Sequence, residues 1–416
     1  MITDLLRSRV VSRLQGLRRG SLVLEDDRGR VRFGGHERSD LRATLRVHSP
    51  RLYRNVALRG SLGAAESYLE GHWTADDLTT ALRIFAANLQ ATSRIESPLT
   101  RLLTLPATLG HRLRGNSRRG SRRNIRDHYD LGNAFFAQFL DDTMTYSCGV
   151  FESPHADLQA ASVAKLDRVC RKLALQPADH VLEIGTGWGS FAVHAAGRYG
   201  CRVTTTTISE AQYETAAVRV REAGLADRVT LLRRDYRDLS GTFDKLASIE
   251  MIEAVGAEHL PGYFGHCARL LAPHGQMLLQ GIVLPEHRYG PYLTGADFIQ
   301  RYVFPGSALT SVGAMSAAIG QTTDFRIVQM EDLSSHYART LHLWRRRFLA
   351  RLAEVRQLGY DERFIRTWDY YLAYCEAGFS EACTGVVQVL LARPDCPVDA
   401  VADIGPAGAV PLPLAG

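Results

Sequence analysis

At 416 residues and 45 % apolar content, the chain has material for a large core and length for two domains, or for one domain with extensions. Its net charge of +6 hides an asymmetry: residues 1–130 hold 24 arginines against 13 acidic side chains, an excess of 11, so the remainder is negative. The apolar runs fall well short of the roughly 20 residues that cross a bilayer, and Met1–Asp4 followed by repeated arginines lacks the apolar stretch of a signal peptide. The seven cysteines are scattered with no C-x-x-C spacing, which argues against a zinc site or a disulfide framework and for a cytoplasmic chain without a metal.

Residues 1–92 mix short strand-like pieces at 21–24, 31–33 and 45–47 with a helical end from Asp77 to Leu89, the pattern of a small α+β accessory domain. Residues 93–123 form a basic linker in which Arg112, Arg114, Arg118, Arg119, Arg122 and Arg123 sit among Gly and Ser. Such a segment suits an anionic membrane, nucleic acid or plain solvent, and the lack of stacking aromatics over 111–126 argues against nucleic acid. From residue 124 the pattern changes to strands alternating with amphipathic helices, as in a parallel sheet covered on both faces, and a catalytic domain is expected over 124–393. Its strands fall at 181–184, 202–207, 228–232, 246–250 and 276–283, with helices at 189–199 and at 210–222, the latter capped by Ser209. Late strands at 325–330 and 385–392 close the sheet, the last as an antiparallel edge. The Pro/Ala/Gly-rich segment 394–416 reads as a disordered tail.

The most informative stretch is Val181-Leu182-Glu183-Ile184-Gly185-Thr186-Gly187-Trp188-Gly189, an apolar strand running into three alternate glycines and then a helix. Glycines permit positive φ and close approach of a ligand to the backbone, and the helix offers free N–H groups. The dinucleotide pattern is G-x-G-x-x-G. An acidic residue two places before G-x-G-x-G suits a nucleoside cofactor without a pyrophosphate, chiefly S-adenosylmethionine. Ligands in open α/β sheets lie beyond the carboxyl ends of the strands. The tips there supply Thr207 and Gln212 for a ribose, Asp235 to accept from an adenine amino group and Tyr236 to pack on the ring.

Several segments in one order, His128-Tyr129-Asp130-Leu131-Gly132-Asn133, Tyr146-Ser147-Cys148, the glycine turn, Asp235-Tyr236-Arg237-Asp238-Leu239, Glu250-Met251-Ile252-Glu253-Ala254-Val255-Gly256, Tyr302-Val303-Phe304-Pro305-Gly306 and Tyr337 to Trp344, resemble the cyclopropane-fatty-acyl-phospholipid synthase family, which includes mycolic-acid methyltransferases. The resemblance covers about residues 120–393. It implies a seven-stranded, Rossmann-like S-adenosylmethionine-dependent methyltransferase domain behind an accessory lipid-binding domain, a homodimer, and methyl(ene) transfer to the cis double bond of unsaturated phospholipid acyl chains. In this picture the basic N-terminal third brings the protein peripherally to the inner face of an anionic membrane.

An isolated alkene is a poor nucleophile, so the site must press the sulfonium methyl against the π bond, exclude water and supply a base for the proton then lost. The resemblance implies bound bicarbonate as that base, held by Glu253, Tyr337, Cys148 and Ile282, with Tyr146 and Ser147 at the cofactor's carboxylate. The family's histidine is replaced by Gln280, and Ala254 stands where a histidine commonly follows the glutamate. Gln280 donates hydrogen bonds but carries no charge, which raises a methylene- or methyl-branched product beside a cyclopropane. Glu250, three residues before Glu253, reads as a polar contact near the sulfonium or as a helix cap. A soluble isoprenoid or polyketide alkene, and a non-catalytic binding module, remain open as other classes.

Overall fold

A computed structural model describes residues 2–35, 37–89, 131–295, 297–397 and 405. The expected linker, the His128-Tyr129-Asp130 part of one motif and most of the expected tail lie outside these residues.

Two sheets organise the chain. The first contains β1 (Arg19–Asp26), β2 (Gly29–Gly34), β3 (Glu37–Val47) and β4 (Trp73–Ala75) in the order β2-β1-β3-β4. β1 and β3 run parallel, whereas β2 and β4 are antiparallel to their neighbours. Helices Ile2–Leu14, Arg51–Leu69 and Leu78–Ala87 accompany this sheet. The last is stopped from fraying by Asp77, whose side chain accepts from Thr80 N–H. The two earlier helices were not anticipated: arginines dilute the apolar positions of Ile2–Leu14, and Arg51–Leu69 is broken at Gly60, where φ is +56°.

The second sheet has seven strands, β5 (His180–Ile184), β6 (Arg202–Thr206), β7 (Val229–Leu232), β8 (Phe243–Ile249), β9 (Leu271–Val283), β10 (Arg326–Asp332) and β11 (Gly385–Ala392). Its order is β10-β11-β9-β8-β5-β6-β7, parallel from β9 through β7. The expected seven-stranded Rossmann-like domain is therefore present, with one correction. β11 is antiparallel but is not an edge: it inserts between β9 and β10, and β10 takes the edge. The physical reason is visible in Val386, Val387, Val389, Leu390 and Leu391, all buried, whereas β10 exposes Ile327 and Met330.

The two parts share a core. Tyr68 of the accessory part donates to Asp369 at 2.6 Å, and Arg345 donates to the same carboxylate at 2.7 Å. Thr79 donates to Glu376 of the same Glu362–Ser380 helix, and Arg83 to Glu381, the residue that ends it. One aromatic and aliphatic cluster runs from Leu22 and Trp73 through Phe135 to Trp344 and Trp368. The accessory part is thereby fixed against the helices that roof the second sheet.

Candidate active site

A cavity of about 1040 Å³ opens over the carboxyl ends of β5, β6, β8 and β9. It runs from the glycine turn past Glu250 and Glu253 to Tyr370, Tyr371 and Tyr374, and onward to Leu24, Leu45, Val56, Trp73 and Leu82 of the accessory part. The lining is polar at the glycine turn, at the two glutamates and at His287, Arg288 and Asp297, and apolar at Leu24, Leu45, Val56, Trp73 and Leu82. That is the distribution needed by a polar cofactor meeting an aliphatic chain.

At the cofactor end the turn after β5 holds Gly185, Gly187 and Gly189 at φ +103°, +52° and +88°. A Cβ on Gly187 would meet nothing within 4 Å and point into free space, whereas Gly185 lies under Met251. Gly189 differs from the expectation: it does not line the cavity, and a Cβ there would meet Ala216 at 3.1 Å, so this glycine lets two helices pack. Glu183 faces the cavity but accepts from Thr205 Oγ1 at 2.6 Å. Thr207 donates to Gln212 at 3.0 Å, and Ser209 caps the following helix as expected. Both oxygens of Asp235 are held by Arg237, at 2.8 and 2.7 Å, which fixes the carboxylate at the cavity wall beside Tyr236. Tyr146 shares a hydroxyl hydrogen bond with Tyr371 at 2.9 Å, and Ser147 accepts from Lys165 at 2.9 Å. An open glycine cradle, a buried cation beside Ser147 and carboxylates facing the cavity fit the carboxylate, cationic and nucleoside parts of S-adenosylmethionine.

The reacting end is built differently from the expectation. Glu250 Oε1 accepts from the Cys148 N–H at 2.9 Å and from Gln280 Nε2 at 2.7 Å, and its Oε2 accepts from the Tyr337 hydroxyl at 2.6 Å. Ile282 N–H donates to Glu253 Oε1 at 2.6 Å. Every donor expected to hold bicarbonate is thus already engaged by a side-chain carboxylate, and the residues present do not fit that anion. Moreover, Cys148 and Gln280 are not among the residues lining the cavity; they reach Glu250 from behind, while Glu250, Glu253, Ile282 and Tyr337 face it. Glu250 is not a helix cap. It sits just past β8 with φ +50°, a left-handed conformation that costs a non-glycine residue on the order of 1–3 kcal/mol.

Burial pushes Glu250 up from the ordinary carboxylate range, while Tyr337, Cys148 and Gln280 pull it down. Glu253 is pushed up to about 8, first by burial and then by the charge of Glu250. Glu250 accepts from three neighbouring residues, whereas Glu253 Oε2 has no partner among the described residues, so of the two Glu253 is the better placed to hold a proton and Glu250 the better stabilised as an anion. Glu183 is also pushed up to about 8 by burial. Cys148 is driven well above its ordinary value by burial and by Glu250, so its thiol is no nucleophile.

Three contributors were missed from the sequence. Lys165 lies 1 % exposed on the inner face of the Leu158–Lys172 helix, at the spacing of Leu158, Ala161 and Leu166, so a lysine on an apolar stripe was the available signal. Gln388 is fully buried and donates to Gln280 Oε1 at 2.9 Å. The accessory part lines one end of the cavity, which no local pattern announces.

Comparison with known proteins agrees with this geometry. Residues 116–389 match the family described as mycolic acid cyclopropane synthetase. A tuberculostearic acid methyltransferase of Mycobacterium tuberculosis is 40 % identical over 84 % of this chain and 83 % of its own. A cyclopropane-fatty-acyl-phospholipid synthase of Escherichia coli is 35 % identical over 84 % of this chain and 88 % of its own. Among solved structures, a cyclopropane synthase from Mycobacterium tuberculosis superimposes with a TM-score of 0.61 at 28 % identity, covering 65 % of this chain and 98 % of the other. A mycolic acid cyclopropane synthase complexed with SAH and CTAB gives the same TM-score at 29 % identity, with the same coverage of both chains.

Proposed function

The chain belongs to the mycolic acid cyclopropane synthetase family of S-adenosylmethionine-dependent methyltransferases, and from that premise we propose that it methylates the cis double bond of unsaturated phospholipid acyl chains. The observation that carries this reading is one cavity that joins the glycine turn and the two glutamates to the apolar side chains Leu24, Leu45, Val56, Trp73 and Leu82 of the accessory part. S-adenosylmethionine supplies, when bound, an electrophilic methyl group on a positively charged sulfur. The protein's part is positional and electrostatic. Gly185 and Gly187 let the cofactor approach the backbone, Lys165 and Ser147 receive its carboxylate, and Thr207, Gln212, Asp235 and Tyr236 receive the nucleoside. The apolar wall of Ile282, Leu284, Tyr370 and Phe379 aligns the chain and excludes water from the carbocation that follows.

Of the two fates of that cation, the reading favours a methylene-branched chain, which a separate reductase would saturate to a methyl branch, because Gln280 stands where the cyclopropane-forming pattern has a histidine and Glu250 takes up the donors of its anion. Two relatives also bear names that speak of methyl transfer, the tuberculostearic acid methyltransferase and a probable fatty acid methyltransferase of Pseudomonas putida at 36 % identity over 68 % of this chain. Cyclopropane formation is the second reading, supported by the Glu253–Ile282 contact and by Tyr337, which match the ring-forming resemblance. No helix among the described residues is long and apolar enough to cross a membrane. The reading has the arginine-rich N-terminal third dock the protein on the anionic inner face of the membrane, each arginine near the surface adding about 1 kcal/mol, and has the protein act as a homodimer. Vesicle binding that ignores anionic lipid and salt would count against the docking, and a monomer mass in light scattering against the dimer.

The deciding experiment incubates the full chain with unsaturated phospholipid vesicles and methyl-labelled S-adenosylmethionine, then analyses the released fatty-acid methyl esters by mass spectrometry. Label in the acyl chain supports the reading, and fragmentation separates a branch from a ring. Cofactor binding without label in lipid would redirect the search to a soluble alkene.

A further inference from the structure

We infer that the Glu250 carboxylate replaces a bound bicarbonate and itself accepts the proton lost from the transferred methyl group. The inference rests on the proposed methylation and deepens it by naming the base. Glu250 gathers the donors expected for the missing anion: the Cys148 N–H, Gln280 Nε2 and the Tyr337 hydroxyl. It also stands between Cys148 and Gln280 and the cavity, so a free anion could reach those two donors only by displacing it. A second anion there would face the Glu250 charge at contact distance in a buried site, where like charges are least screened.

Gln280 follows from the same arrangement. A carboxylate only accepts, so Gln280 must turn its NH₂ toward Glu250, and its oxygen then receives Gln388 Nε2. Histidine in place of Gln280 would serve a site whose anion comes and goes with its proton. A neutral, fixed donor serves a carboxylate that is covalently part of the chain. Glu250 has a positive φ just past β8, and its side chain accepts from Gln280 on the neighbouring strand β9.

The step balances for either product. The C–S bond breaks with its electron pair left on sulfur, and the alkene π pair forms the bond to the methyl carbon. A methyl C–H bond then breaks. Its pair closes a ring onto the cationic carbon or, after a 1,2-hydride shift, forms the methylene double bond, and the proton goes to Glu250. Water takes that proton once the products leave.

The first test needs no variant. Wild-type enzyme assayed in carbonate-depleted buffer should keep its rate, and a rate that collapses and returns with added bicarbonate overturns the inference. Second, Glu250→Gln should lower lipid labelling by at least about 100-fold, the usual contribution of a general base, with calorimetric cofactor binding retained. Glu250→Gly, which suits the positive φ, should be equally slow but regain activity with added formate or bicarbonate. Thermal melts establish that both variants fold, and a folded Glu250→Gln enzyme with wild-type turnover overturns the inference. A wild-type chain that binds cofactor yet labels no lipid overturns the functional reading first and this inference with it, so the two failures are distinguishable.

Discussion

Gln280 and Gln388 lie directly opposite each other in the antiparallel pairing of β9 and β11, and the Gln388 amide donates to Gln280 Oε1 at 2.9 Å. Both are fully buried. The insertion of β11 beside β9 thus has a consequence at the reacting end: it brings up a second amide that locks the first in the orientation Glu250 requires.

Gln388→Met keeps the volume and removes that lock. Losing one neutral hydrogen bond costs roughly 1 kcal/mol, so kcat should fall about fivefold, with cofactor affinity unchanged. Because Gln280 then holds the Glu250 anion less firmly, the acid limb of the pH–rate profile should move to higher pH. A stability loss without that movement would assign Gln388 to packing alone.

Tyr337→Phe tests the other side of the same carboxylate. The ring packs on Phe379, with centroids 4.5 Å apart, and edge-on to Trp344, so phenylalanine preserves the packing and removes only the donor to Glu250 Oε2. Hydrogen bonds to charged groups contribute about 1.5–3 kcal/mol, which places the expected loss in kcat at roughly 10- to 100-fold. The melting temperature should change little, and the acid limb should again shift upward. An unaltered profile would remove Tyr337 from the account of the base.

The sheet was legible because β5, β6, β7 and β8 are short runs rich in β-branched and apolar residues that end at polar tips and alternate with helical stretches, a pattern that local sequence carries. The place of β11 was not legible, since pairing order between late strands depends on which long helices cover them. The glycine turn was readable down to Gly185 and Gly187, but Gly189 answers to Ala216, a residue 27 positions later whose proximity exists only in the fold. Cys148, Gln280 and Tyr337 meet at Glu250 and Ile282 meets Glu253, but Cys148 and Gln280 stand behind the cavity wall. Their grouping around Glu250 was hidden because a carboxylate three residues before Glu253 looks like a capping residue until its φ of +50° is known. Lys165 was passed over as one more cation on an amphipathic helix.

Glu183 and Glu253 give the cofactor-free protein a pH dependence of definite sign. Burial raises both to about 8, above the ordinary carboxyl value of 4.5. The folded state therefore binds more protons than the unfolded chain between those values. Their contribution is fully present below about 4.5 and is lost as pH rises through about 8. The melting temperature should fall as the pH is raised from 5 to 9, and Glu183→Gln, which keeps an oxygen for Thr205 Oγ1, should flatten that slope. Cofactor binding brings positive charge to the same carboxylates and should release protons, visible as a buffer-dependent heat in calorimetry. A melting temperature that climbs steadily across this range would contradict the burial assigned to both groups.

Leu82 offers a test of the accessory part that spares the chemistry. It lies on the Leu78–Ala87 helix, far in sequence from every residue around Glu250, yet its side chain lines the same cavity. Leu82→Trp adds bulk on the cavity side, so the aliphatic chamber shortens while the glycine turn and both glutamates keep their surroundings. Cofactor affinity should be that of wild type, and labelling of long-chain phospholipid should fall steeply. Lipids whose double bond lies nearer the methyl end should be spared, because less chain then extends beyond the reacting carbon. If labelling of all chain lengths is unaffected, the acyl chain runs instead along the wall formed by His287, Pro291 and Tyr292, and the accessory part serves only as the roof of the second sheet.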